Sequence, residues 1–92
     1  MPDVRDFPKS SSDVLVQKTA ERVVLLDTRR GEYYSLDDVG ARIWELCDGT
    51  KSRADIANVL LAEYAVEPDI LQSDLDNLLD RLNKARLIAF RR

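Results

Sequence analysis

No histidine occurs among the 92 residues. That removes imidazole as general base, as triad member and as metal ligand. A single cysteine, Cys47, excludes an internal disulfide and a thiolate zinc site. One unpaired thiol suits a reducing, cytoplasmic setting. Three glycines and three prolines are too few for a collagenous or low-complexity chain. The glycines, Gly31, Gly40 and Gly49, stand in dissimilar segments and form no phosphate-cradling loop. No apolar run approaches the ~20 residues that a membrane helix needs. Met1 to Asp6 offer no apolar stretch of the kind found in signal peptides.

What remains is a globular composition, 45% hydrophobic and 34% charged. A chain of this length builds one core and holds a thin stability margin. Residues 1–36 carry six basic and six acidic side chains, whereas residues 37–92 carry eight and eleven. The acidic second half is poorly suited to phosphate backbones, so no nucleic-acid partner is expected.

Residues 1–12 read as a flexible arm, interrupted by Pro2, Pro8 and Ser10-Ser11-Ser12. Residues 13–92 read as a single domain. Val14–Lys18 is a short β-branched strand, and Arg22–Asp27, with its four-residue apolar run, is a stronger one. Thr28-Arg29-Arg30-Gly31 makes a hairpin connection to a third strand, Glu32–Leu36. Alternation there places Tyr33 and Ser35 on one face and Tyr34 and Leu36 on the other. A tyrosine on the outer face of an edge strand is a candidate partner contact.

The period then changes from 2 to 3.6. Asp37 or Asp38 caps a helix running to Cys47, and Gly49 is expected to close it. Trp44 and Cys47 are read as core side chains. Ser52 with Asp55 opens a second helix. Pro68 opens a third, with Leu71, Leu75, Leu78, Leu82 and Ala85 as its stripe and Ile70 and Leu79 on the shoulders. Five acids, Glu67, Asp69, Asp74, Asp76 and Asp80, precede its first base, Arg81. Asp74 flanks the stripe, where it borders any groove that this helix helps to form. Leu87–Phe90 is an apolar tail that must pack. The expectation is an α+β, winged helix-turn-helix-like domain, a three-stranded antiparallel sheet followed by three helices.

The stretch from Val24 to Leu46, the Cys47-Asp48-Gly49-Thr50 segment and the later Asp74–Leu82 pattern resemble the PqqD-like family of RiPP recognition elements. The resemblance spans roughly residues 14–90. It implies a non-catalytic, cofactor-free and metal-free domain that binds the leader of a ribosomally made precursor peptide and presents it to a modifying enzyme or leader peptidase. The leader adds as a strand to the edge of the third strand and lies against the third helix, a β-augmentation. Carried onto this chain, the implied peptide-binding residues are Glu32, Tyr33, Tyr34, Ser35, Leu36, Ile70, Asp74, Leu75, Leu78, Leu79, Arg81 and Leu82. Many members end the third helix on glycine. Here Ala85-Arg86-Leu87 stands at that place, so either a non-glycine residue takes the left-handed cap or the helix runs on.

The Leu26–Tyr34 segment is more similar to stand-alone domains of lasso-peptide pathways, whose partner is a cysteine-protease-like leader peptidase. The alternative is a partner of a radical S-adenosylmethionine enzyme in pyrroloquinoline quinone biosynthesis. A winged-helix DNA-binding protein is a further alternative, and the acidic third helix argues against it. The expected state is a monomer or weak dimer, with no membrane partner.

Overall fold

The structure, a computed structural model, describes residues 7–20 and 22–91. Its elements run β1 (Phe7–Ser10), β2 (Val14–Lys18), β3 (Val23–Asp27), β4 (Glu32–Leu36), α1 (Asp38–Leu46), α2 (Arg53–Glu63), α3 (Pro68–Lys84) and β5 (Ile88–Arg91). The antiparallel sheet β2-β3-β4 followed by three helices is the α+β arrangement that the sequence implies.

The expectation for residues 7–12 fails. The part of the presumed arm that is described is not an arm, because β1 pairs antiparallel with β5, from Phe7↔Arg91 to Ser10↔Ile88. On its other side β1 is held by residues 47–49, through Ser10 N–H to the Cys47 carbonyl at 2.8 Å and Gly49 N–H to the Pro8 carbonyl at 2.9 Å. Pro8 is buried and tolerated in this short strand because its nitrogen, like its carbonyl, faces residues 47–49 and not the β5 ladder. Residues 1–6 lie outside the described residues. The apolar tail therefore packs as a strand.

Local chemistry accounts for the remaining elements. Gly31 takes φ 69 in the β3–β4 connection, and its N–H reaches the Asp27 carbonyl. Asp27, buried at the strand end, accepts from the Arg29 and Arg30 N–H groups and faces Arg30 at 4.0 Å. Asp37 is the N-cap of α1, accepting from Gly40 N–H at 2.8 Å. That helix ends at Leu46 with Cys47 as cap, so Gly49, at φ 84, turns the chain beyond the helix instead of closing it. Ser52 and Asp55 form a full capping box at the start of α2. Pro68 opens α3. Its other end stops on Arg86 in the left-handed region, with no continuation of the helix.

The core joins Leu25 and Leu36 of the sheet, Ile43 and Trp44 of α1, Ile56 and Leu60 of α2, and Leu71, Leu75, Leu79 and Leu82 of α3. Arg42 grips Glu63 through two hydrogen bonds, fixing α1 on α2. Arg53 reaches Asp76 at 2.9 Å and Asp80 at 3.6 Å and lies over the Phe90 ring, tying α2, α3 and β5. Among the described residues no helix is long and apolar enough to cross a membrane.

Candidate functional site

Among the described residues the sheet order leaves β4 hydrogen-bonded on one side only. Which of its backbone groups face outward follows from the ladder. Thr28 N–H donates to the Asp13 carbonyl and Thr19 N–H to the Arg22 carbonyl, bracketing β2–β3 at both ends. Even-numbered residues of β3 therefore bond to β2, and Val23, Leu25 and Asp27 bond to Leu36, Tyr34 and Glu32 of β4. Tyr33 and Ser35 are left with N–H and C=O directed to the open side. A strand edge with unmet donors and acceptors is a template for another strand.

Side chains on β4 alternate as expected. Tyr34 is half-buried and Leu36 buried, while Tyr33, 73% exposed, and Ser35 face outward. The Tyr34 hydroxyl donates to Glu32 Oε2 at 3.1 Å, and the carboxylate, together with partial burial, holds the phenol above its ordinary 10.0.

A cleft of about 940 Å³ lies between the end of β4, the start of α1 and one flank of α3. At about 100° per residue, Leu71, Leu75, Leu79 and Leu82 form the buried arc of α3. Leu78, Asp74, Arg81, Ile70 and Asn77 follow in turn around the flank beside it, and all five line the cleft. Leu36, Ile43 and Leu71 form a buried apolar floor, with Val39 and Leu78 half-buried above it. Ile70, 59% exposed, and Val66 stand on the rim.

Of the twelve residues expected to bind peptide, the cleft gathers Ser35, Leu36, Ile70, Asp74, Leu78 and Arg81. Glu32, Tyr33 and Tyr34 extend the same open edge beyond it. Leu75, Leu79 and Leu82 must be removed from the set, because each is at most 3% exposed and lies in the core. The centre of the apolar arc lies nearer Leu79 than the 3/4 spacing suggests, which turns Leu78 toward the cleft. The sequence reading missed Arg22, Asp37, Asp38, Val39 and Val66 as lining residues. Arg22 enters because it lies beside Ser35, whose hydroxyl accepts from its guanidinium at 3.4 Å. Cross-strand neighbours are set by register, which spacing along one strand does not reveal.

Other groups have no site around them. Cys47 is 1% exposed, and burial pushes its thiol up to about 12, so it stays protonated and poorly nucleophilic near neutrality. Among the described residues no three His, Cys, Asp or Glu side chains are placed to share a metal ion.

The family described as "Coenzyme PQQ synthesis protein D (PqqD)" matches residues 22–88. A curated relative, "PqqA binding protein" from Xanthomonas euvesicatoria pv. vesicatoria, is 36% identical over 53 residues. That match covers 58% of each chain, so less than two thirds of the relative's length is spanned. Among solved structures, TbiB1 in complex with the TbiA(beta) leader peptide is 35% identical, with a TM-score of 0.76 over 87% of this chain and 93% of that one. A lasso peptide synthetase B1 complexed with its leader peptide is 33% identical, with a TM-score of 0.75 over 91% and 98%.

Proposed function

The chain belongs to the PqqD family, and on that premise we propose that its cleft captures the leader of a ribosomally made precursor peptide by strand addition to β4. The observation that carries this reading is the open edge of β4 beside the amphipathic flank of α3, across a cleft of about 940 Å³. Main-chain bonds at Tyr33 and Ser35 supply affinity independent of sequence. The apolar floor under Leu36 and Leu71 receives a leader side chain, and the charged rim orients it. The domain itself performs no chemistry. It holds the leader, as a monomer or weak dimer in the cytoplasm, while a modifying enzyme or leader peptidase acts on the rest of the precursor.

A lasso-type pathway is favoured, with a cysteine-protease-like leader peptidase as partner. Supporting it, the lasso peptide synthetase B1 aligns over 91% of this chain. The second reading, a partner of a radical S-adenosylmethionine enzyme in pyrroloquinoline quinone biosynthesis, is supported by the "PqqA binding protein" match. The exposed acids Asp69, Asp74 and Asp80 on α3 do not favour DNA.

An amide-NMR titration tests capture, with the N-terminal half of its cognate precursor peptide as probe. Shifts confined to β4 and the Ile70–Arg81 flank of α3 are expected. If no amide moves, with the partner enzyme absent or present, the reading fails.

A further inference from the structure

We propose that the cleft selects its peptide by charge polarity. Asp74, with Asp38, takes a basic side chain near the Leu36 end of β4, and Arg81 takes an acidic side chain toward the Glu32 end. This rests on the peptide-capture reading above and specifies which peptides it admits.

The charges at the two ends differ in kind. Where β4 meets α1, the lining includes Asp37, Asp38 and Asp74 against one guanidinium, Arg22. Asp37 spends one oxygen on the Gly40 N–H, and Arg22 is turned to the Ser35 hydroxyl. The start of α1 adds about half a positive charge, which leaves this end negative. At the far end the charge that lines the cleft is Arg81, while Glu32, on the open edge beyond it, accepts from the Tyr34 hydroxyl. Arg81 lies seven residues along α3, on the same flank as Asp74 and about 10.5 Å away along the axis at 1.5 Å per residue. A second cavity, lined by Arg29 of the β3–β4 connection and by Asn83 and Arg86, places the end of α3 beside that connection. The helix thus runs back along β4, and Arg81 belongs to the Glu32 end.

Asp74 and Arg81 are also unengaged. The neighbouring acids Asp76 and Asp80 are held by Arg53, and Arg29, Arg30 and Arg42 have carboxylate partners of their own. Among the described residues the side chains of Asp74 and Arg81 have neither an ion pair nor a hydrogen bond, and both are exposed. An added strand repeats a side chain on one face every two residues, about 6.8 Å. A separation of about 10.5 Å therefore fits opposite charges two to four residues apart, given the reach of Lys and Glu. A peptide of reversed polarity meets like charge at both ends.

The probes are the fluorescein-labelled N-terminal half of the cognate precursor peptide and a copy with its Lys/Arg and Asp/Glu exchanged. Fluorescence anisotropy at low ionic strength reads their affinities for the wild-type chain and for the Asp74→Arg/Arg81→Asp double variant, with circular dichroism confirming the fold. The wild type is expected to prefer the native peptide by roughly tenfold, shrinking as salt is added. The double variant is expected to prefer the exchanged copy. A double variant that keeps the wild-type preference overturns charge selection and leaves peptide capture standing. A wild type that binds neither peptide overturns both.

Discussion

Leu87 donates its main-chain N–H to the Leu82 carbonyl at 2.9 Å, closing α3 across a residue that is not glycine. Arg86 donates to the Asn83 carbonyl at 3.0 Å and sits at φ 62. The two bonds make a Schellman turn, and its apolar contact joins the buried Leu82 and Leu87. For an L residue with a side chain, that conformation costs roughly 1 kcal/mol.

Arg86→Gly is therefore expected to stabilise the fold by about 0.5–1 kcal/mol, the relief of strain being partly offset by glycine's freedom in the unfolded chain. Thermal unfolding should show a midpoint a few degrees higher. An unchanged or lower midpoint would contradict the strain assigned to this cap.

Leu78 and Leu79 are neighbours with opposite duties. Leu79→Ala opens a cavity in a fully buried site and should cost about 2–5 kcal/mol. Leu78→Ala, at a half-buried position lining the cleft, should cost less than half as much and weaken leader binding roughly three- to tenfold. Urea unfolding and anisotropy on the same two variants separate the effects.

The ladder assigns the outward N–H to Ser35. Ser35→Pro removes a donor that the sheet does not use, so secondary structure should persist. Leader affinity should fall by roughly tenfold or more through a lost main-chain bond and ring contact with the incoming strand. Amide exchange offers an independent check: Tyr33 and Ser35 should exchange freely until peptide is added, while Tyr34 is already protected.

Burial raises the Cys47 thiol from an ordinary 9.0 to about 12. The neutral thiol favours the folded state, and between those values the unfolded chain ionises first. This contribution is thus fully present below pH 9, declines as the pH rises and is exhausted near 12. Urea midpoints from pH 8 to 11 should fall more steeply for the wild type than for Cys47→Ala. Parallel slopes would remove the thiol as the cause.

The sheet, the three helices and their starts were legible because each is written locally. Alternation marks β4, Asp37 and the Ser52/Asp55 pair mark helix starts, and Pro68 marks a third. β1 was not legible, since Phe7-Pro8-Lys9-Ser10 has no periodicity and its partner lies some eighty positions away. The phase of α3 was readable only to within one residue. With leucines at both 78 and 79, spacing cannot say which one the core takes, and packing against α2 and the sheet decides it. Half of the candidate site followed from the open edge and the flanking acid. Arg22 and the start of α1 entered it through tertiary placement alone.

The β1–β5 pairing also determines how the molecule responds to force. Its outermost pair is Phe7↔Arg91 and its innermost Ser10↔Ile88, so a pull on the two chain ends loads the ladder one pair at a time. Such unzipping needs far less tension than shearing all pairs together. The first event under load is peeling of this two-stranded clasp. The three-stranded sheet and the cleft beside it are anchored through other contacts, so a pull on these two strands opens the clasp before it disturbs the groove.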